Sequence, residues 1–416
     1  MARLVIDGGY PVEGEMRVHG AKNAVLPILA ATVLNGGRNV IHDCPNIRDV
    51  VSTIAILEFL GCKIHRENNT LTVDSSDIKN EEIPEQLMLE MRSSVIFLGA
   101  LISRFGKTRT TKPGGCELGA RPIDLHLKAL RQLGVKVTEE HGSYLCSAEK
   151  LAGTQIHLGF PSVGATENIM LAAVKAEGTT VITNAAKEPE IVDLQNYLNG
   201  MGARIIGAGT DIIRIDGVQR LGDVEHTVMP DRIVAATYLA CSAITGGIVE
   251  LINADKSHME ATLAVMRDCG SRIYISGDKI IHIPPKRIKA ATNVRTQPYP
   301  GFPTDAQSTL LALLTLAEGT SIFFENIFEN RFNQTVELVR MGADITVDGR
   351  MAVIRGVERL SGASVTAMDL RGGAALVVAA LAAEGRTVID NVCYIDRGYE
   401  SIETVLAAVG ARIHRD

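Results

Sequence analysis

The sequence contains no tryptophan, and its aromatic residues together make up only 4% of the chain. Single-stranded nucleic acid is held largely by stacking bases on aromatic faces, so this scarcity argues against that class of binder. Positive charge is not in excess either. The formal net charge is −6, which argues against a general ligand of phosphate backbones. An anion must therefore be held by local clusters of Lys and Arg. No apolar run approaches the ~20 residues needed to cross a bilayer. The opening MARLVIDGGYPVEGEMRV reads as strand, turn and strand, not as a secretion signal. The cysteines are Cys44, Cys62, Cys116, Cys146, Cys241, Cys269 and Cys393. Their odd number, wide scatter and lack of a C-x-x-C pair argue against a disulfide framework and a thiolate metal site. The phosphate-binding P-loop, the HExxH helix and the Gly-x-Ser-x-Gly elbow are missing. GAKNA and LRGGAA are too short for dinucleotide fingerprints, and the histidines are scattered. The expectation is a cytoplasmic protein with no metal, no cofactor, and no nucleic-acid or membrane partner.

What is present is more specific. With 416 residues, 46% of them apolar, the chain can build two or three domains with sizeable cores. The segment TKPGGCELGARPID, residues 111–124, sets Cys116 in a glycine-rich loop whose only apolar neighbour is Leu118. A cysteine kept for packing sits in an apolar run. One flanked by glycines, with Lys112 and Arg121 in reach, is a thiol whose proton affinity can be tuned.

One short signature recurs six times: LGCKI at Gly61, LGVKV at Gly134, MGARI at Gly202, CGSRI at Gly270, MGADI at Gly342 and VGARI at Gly410. The spacing is near-constant at about 70 residues, the mark of a repeat architecture. Each glycine ends an amphipathic stretch and precedes a strand, the place for a left-handed helix cap. A second glycine recurs upstream at Gly37, Gly106, Gly178, Gly247, Gly319 and Gly385, after an Ala/Leu-rich run that is apolar nearly all round. Such a helix is expected to be fully buried. Each unit therefore reads βαβαββ, and the fold class is α/β. Six units suit two domains of three, residues 22–229 and residues 1–21 plus 230–416. EHTVMPDR is the expected crossover, and the first ~20 residues are expected to complete the last unit's sheet.

Aligned by their glycines, the repeats place cations at helix starts. First helices begin at Lys22 and Asn23, Arg92, Ser162 and Gly164, Asp231 and Arg232, Asp305, and Asp369 and Arg371. Second helices begin near Arg48 and Asp49, Arg121, Arg331 and Arg397, among others. Asp, Ser and Asn there have an ordinary explanation as N-caps, Asp305 included. Lys and Arg oppose the helix dipole, so a set of them asks for a bound anion. Around a pseudo-threefold axis, equivalent starts converge on one face of each domain. Two such faces opposed would form a positively charged ligand cleft.

The motifs GAKNAVLPILAA, RSSVIFLGAL, PGGCELGARPIDLHLKAL, PSVGATENIMLAA, YPGFPTDAQS, FENIFENRF, DLRGGAALV and IDRGYE cover the chain from end to end. Through them it resembles the UDP-N-acetylglucosamine 1-carboxyvinyltransferase family of enolpyruvyl transferases. The resemblance implies two inside-out α/β domains of three units each, no cofactor, and a role in peptidoglycan synthesis. The implied reaction joins the enolpyruvyl group of phosphoenolpyruvate to the 3-hydroxyl of UDP-N-acetylglucosamine, through a tetrahedral intermediate, with release of phosphate. Phosphoenolpyruvate would be held by residues matching Lys22, Asn23, Arg121, Arg331, Arg371 and Arg397. Cys116 matches the proton donor that can form a covalent adduct, and Asp305 the proposed base. The nucleotide sugar would meet Arg92, Arg121, Pro122, Ile123, Asp124, Leu125, Ser162, Val163, Gly164, Asp305 and Ile327, the last through its backbone. Asp49 and Asp369 match supporting carboxylates that orient Lys22 or Cys116. Phe160 and Pro161 stand where some members carry a lysine near the diphosphate. The sister enzymes that act on shikimate 3-phosphate use no thiol acid, so the cysteine loop separates the two. That loop, 112–121, is an insertion of about four residues relative to the other repeats, as a movable lid would be.

Overall fold

The computed structural model describes residues 2–111, Gly114 and 123–416. Cys116, Arg121, Pro122 and the expected lid apart from Gly114 lie outside the described residues. The chain forms two compact bodies. The first is built from residues between Gly20 and Met229, the second from residues up to His19 together with Pro230–Asp416.

Three helices fill the interior of each body. In the first they are Lys22–Ala31, Phe97–Phe105 and Val163–Ala173. In the second they are Arg232–Thr245, Thr304–Leu314 and Leu370–Ala382. The all-round apolar pattern has the consequence expected of it: every residue from Leu370 to Leu381, and from Ala306 to Leu314, is buried. Hydroxyls caught inside satisfy themselves on their own helix, as Thr309 does on the Ala306 carbonyl at 3.2 Å. Leu310 and Leu313 are wholly out of water, so truncating either to Ala costs about 2–5 kcal/mol.

Small sheets cover the helices, three per body. Gln155–His157 runs parallel to Thr179–Thr183, which pairs antiparallel with Ile212–Asp216, and Arg204–Ile206 closes the edge. The sheet of Lys107–Thr111, Ser143–Ser147 and Lys136–Glu140 has three strands among the described residues; the others have four. Leu4–Asp7 lies between Arg386–Asp390 and Arg412–Arg415, completing the sixth repeat's sheet. Gly14–Arg17 does not follow it. That strand pairs parallel with Val249–Ile252 of the fourth repeat. Correspondingly, Val224–Thr227, just before the Arg232 helix, pairs parallel with Arg38–His42 of the first repeat. The strand ahead of each body's first helix is thus supplied by the segment that ends just before the chain changes body.

All six helix-end glycines are left-handed, with φ between +96° at Gly134 and +110° at Gly61. Two of the upstream glycines are not. The left-handed residue there is the preceding one, Gly36 or Gly246. Gly247 is required for another reason, since a Cβ would lie 2.2 Å from the Val12 carbonyl oxygen.

The second body also buries an imidazole. Ser242 Oγ donates its single proton to the Gly247 carbonyl and lies 2.7 Å from His282 Nδ1, so Nδ1 carries the hydrogen. Nε2 then accepts from Ser271 Oγ at 2.9 Å. Burial pushes the His282 pKa down to about 4, and the ring is neutral.

Candidate active site

In the first body, Lys22 is the first residue of its helix and Ala21 supplies no side-chain cap. A cation at this end opposes the helix dipole. It is held by Asp49, whose Oδ2 lies 2.8 Å from the Lys22 ammonium, both side chains nearly out of water. Asp49 sits in the first turn of Arg48–Leu60, where negative charge is favoured. Asn23 beside Lys22 is half-buried, and Arg92 opens the short 3₁₀ turn Arg92–Ile96.

Ser162 is the N-cap of Val163–Ala173 and accepts from the Ala165 N–H at 3.3 Å. Gly164 leaves room for the His126 ring, since a Cβ would come within 2.9 Å of His126 Cε1. His126 is buried against Asn168, with Nδ1 3.0 Å from its amide nitrogen. The same amide accepts from the Gly99 N–H at 2.7 Å, tying two interior helices together. Ile123 is buried, Asp124 exposed, and Leu125 and Val163 half-buried. Phe160 is largely exposed. Sequence reasoning passed over Glu167 in this region. Burial first, then Glu190 and Glu188, push its pKa well above the ordinary value.

In the second body the charges converge. Asp305 is the second residue of Thr304–Leu314, whose N-cap is Pro303. It is therefore not the helix cap that the sequence allowed. Its Oδ1 accepts from Arg331 Nη2 at 2.9 Å and its Oδ2 from Arg371 Nη2 at 2.8 Å. Arg331 also donates to the Thr304 carbonyl. Both arginine side chains are almost completely buried, while that of Asp305 keeps 26% of its surface. Two charge-assisted hydrogen bonds from guanidinium groups therefore fix the carboxylate in place. Arg331 precedes its helix, which begins at Thr335, by a turn.

Arg371 enters with its helix. Asp369 caps that helix, with Oδ1 accepting from the Arg371 and Gly372 N–H groups at 2.9 and 3.0 Å. That oxygen is thus committed to the helix end. Burial alone would make Arg371 easier to deprotonate; Asp305, Tyr399 and Asp231 reverse this and hold its pKa above the ordinary value. Its Nη1 is buried with no hydrogen-bond partner, a donor placed for an incoming acceptor. Arg397 ends the short turn Val392–Arg397 and is half-buried.

Glu325 was not anticipated. It is buried, and its Oε1 accepts from Thr296 Oγ1 and from the Ile327 and Phe328 N–H groups at 2.8–3.0 Å. Its Oε2 accepts from Thr304 Oγ1 at 3.0 Å, which fixes the start of the Asp305 helix. The Ile327 N–H is therefore used internally, and its carbonyl and side chain are what remain for a ligand.

Among the described residues, then, the structure brings together Lys22 with Asp49 in one body and Asp305 with Arg331 and Arg371 in the other. No group of His, Cys, Asp and Glu among them could hold a metal ion, and no helix is long and apolar enough to cross a membrane.

The sequence profile described as EPSP synthase (3-phosphoshikimate 1-carboxyvinyltransferase) matches residues 6–406. The chain belongs to the EPSP synthase family. Within that family it is 55% identical, over the full length of both chains, to UDP-N-acetylglucosamine 1-carboxyvinyltransferase 2 of Caldanaerobacter subterraneus subsp. tengcongensis. It is 52% identical to UDP-N-acetylglucosamine 1-carboxyvinyltransferase 1 of Symbiobacterium thermophilum, covering 99% of this chain and 95% of that one. Among solved structures, the enolpyruvyl transferase NikO from Streptomyces tendae superposes with a TM-score of 0.91 at 25% identity, covering 100% of this chain and 98% of that one. An EPSP synthase from Acinetobacter baumannii aligns over both full lengths with a TM-score of 0.74 at 19% identity, which shows the shared fold. The family's EPSP synthase-like fold accounts for the interior helices and the outer sheets.

Proposed function

We propose that this chain is a UDP-N-acetylglucosamine 1-carboxyvinyltransferase. It transfers the enolpyruvyl group of phosphoenolpyruvate to the 3-hydroxyl of UDP-N-acetylglucosamine and releases phosphate, in peptidoglycan synthesis. The relatives at 52% and 55% identity carry this name over the full chain. The geometric observation that carries the reading is the Asp305 carboxylate held between the buried guanidinium groups of Arg331 and Arg371.

Phosphoenolpyruvate brings a phosphate and a carboxylate, so it needs several fixed cations. Lys22, Asn23, Arg121, Arg331, Arg371 and Arg397 are the groups assigned to it. Asp305 accepts the proton of the sugar hydroxyl as its oxygen bonds to C2. The Cys116 thiol gives a proton to C3, so that a neutral methyl group forms in place of a carbanion. In the second half the C–O bond to phosphate breaks, C3 returns its proton, and phosphate leaves. The cations steady the charge that builds on the carboxylate and on the departing phosphate. Arg92, Arg121, Pro122, Ile123, Asp124, Leu125, Ser162, Val163, Gly164 and Ile327 are assigned to the nucleotide sugar, with Asp49 and Asp369 in support. The described cysteines are all free, which suits work in the cytoplasm.

The test is phosphate release from phosphoenolpyruvate with either acceptor. Turnover with UDP-N-acetylglucosamine and none with shikimate 3-phosphate is the expected result. The reverse would overturn the assignment.

A further inference from the structure

The helix that carries Asp305 starts without a cap of its own. Thr304–Leu314 begins behind Pro303, which gives its first turn no side-chain hydrogen bond. Asp305 must nevertheless be held to within about 0.5 Å to take a proton from a bound hydroxyl. Two groups steady the residue before it. Arg331 donates to the Thr304 carbonyl at 3.2 and 3.3 Å. The Thr304 hydroxyl donates to Glu325 Oε2 at 3.0 Å.

Glu325 follows the strand Thr320–Phe324 and is 1% exposed. Its other oxygen serves a different element. Oε1 accepts from the Ile327 and Phe328 N–H groups at 2.8 and 3.0 Å, and from the Thr296 hydroxyl at 2.9 Å. Thr296 Oγ1 in turn accepts from the Asn326 N–H at 2.8 Å, so its one proton goes to Glu325. The Asn326 amide nitrogen closes the loop on the Thr296 carbonyl at 3.1 Å. One carboxyl group thus ties residues 326–328 through Oε1 and the start of the Asp305 helix through Oε2. The backbone N–H groups can only donate, so two accepting oxygens are needed to hold both elements in this way.

We propose that Glu325, acting through the Thr304 hydroxyl, is a positioning residue that sets Asp305 against the 326–328 loop. A sugar ring resting on Ile327 then presents its 3-hydroxyl to the base. The inference rests on the reaction proposed above, which brings Asp305 and Ile327 to the same sugar. Glu325 is buried with both oxygens engaged, so it acts only through its partners. Its effect falls on the chemical step and not on the affinity for either substrate.

The experiment is phosphate release by the full-length protein, in single turnover with both substrates saturating and in steady state for the KM values. The proteins are wild type, Thr304→Val, Thr304→Ser, Glu325→Gln, and Asp305→Asn with and without Thr304→Val. Thr304→Val keeps the shape of the side chain and cuts the link. Its rate is expected to fall about tenfold, the worth of one hydrogen bond to a carboxylate, with each KM within threefold of wild type. Thr304→Ser, which keeps the hydroxyl, should recover most of the rate. Glu325→Gln should fall by less than Thr304→Val, because the Thr304 hydroxyl can turn to accept from the amide. In the Asp305→Asn protein, adding Thr304→Val should cost nothing further, since no base is left to aim. A wild-type rate in Thr304→Val or Glu325→Gln, or no recovery in Thr304→Ser, would overturn the proposal. So would a further tenfold fall in the Asp305→Asn protein, the mark of a merely structural role. A wild type that releases no phosphate with UDP-N-acetylglucosamine would instead overturn the assigned reaction, which keeps the two failures apart.

Discussion

Lys22 Nζ stands 2.8 Å from Asp49 Oδ2, with 11% and 4% of the two side chains exposed. A pair this deep is sensitive to loss of one member, because the survivor is a buried charge without its counterion. Asp49→Asn is expected to lower stability by about 3–5 kcal/mol and to raise the KM for phosphoenolpyruvate. Asp49→Glu, which keeps the charge, should recover part of both. Urea denaturation and phosphate release read the two effects, and an Asp49→Asn protein matching wild type in both would contradict the role given to the pair.

Asp305 is expected to matter most in the chemical step. Asp305→Asn keeps the size of the side chain but cannot take up the hydroxyl proton, so kcat should fall by about 10²–10⁴-fold. The measurement is single-turnover phosphate release with both substrates saturating. A fall of less than tenfold would remove Asp305 from the role of base.

The cysteines should divide sharply under alkylation. Burial pushes the pKa of Cys62, Cys241 and Cys269 to about 12 and that of Cys146 to about 11, while Cys44 is buried and Cys393 exposed. The thiolate is the reactive form. Brief iodoacetamide treatment at neutral pH, read by peptide mass mapping, should modify Cys116 and Cys393 and spare the other five. Loss of activity should track Cys116 alone, and Cys116→Ser should be nearly inactive without any reagent. Inactivation that persists in an active Cys116→Ser protein would place the acid elsewhere.

His282 predicts an acid-side weakness. Its folded pKa is depressed to about 4 against an ordinary 6.5, so between these values the unfolded chain binds a proton that the folded chain refuses. Stability is then fully present above pH 6.5 and is lost as pH falls toward 4, by roughly 3 kcal/mol over the window. His282→Gln can serve both serines without titrating. Its stability relative to wild type should improve steadily from pH 6.5 down to 4, as urea midpoints would report. A constant difference across that range would refute the assignment.

Much of this fold was legible because it is written six times. Spacing of the helix-end glycines gave the repeats, and the all-apolar runs before Gly178, Gly319 and Gly385 gave the interior helices. The same alignment located Lys22, Asp305 and Arg371 at helix starts, since a cation at a dipole's positive end is out of place without a reason. Periodicity carries no information about partners far along the chain. It could not say that Asp305 would be shared by Arg331 and Arg371, or that Glu325 would anchor the Asp305 helix through Thr304. Nor could it assign Gly14–Arg17 to the fourth repeat, because the alternation of that strand fits any sheet of the same type. The pairs Gly36–Gly37 and Gly246–Gly247 misled by one residue, as either glycine satisfies the pattern and only backbone geometry chooses.

The pairing of Leu4–Asp7 and Gly14–Arg17 with strands of the last and fourth repeats also sets an order of events at the ribosome. The first body has all its described strands once Val224–Thr227 has emerged, and can close while synthesis continues. The opening segment cannot. Gly14–Arg17 must wait for Val249–Ile252, and Leu4–Asp7 for Arg386–Asp390 and Arg412–Arg415 near the end of the chain, which takes roughly 10–40 s at common elongation rates. During that interval the first body can close while the Leu4–Asp7 ribbon still lacks its partner strands. Whatever is attached to that ribbon, a tag or a tether, acts on the last step of assembly and not the first.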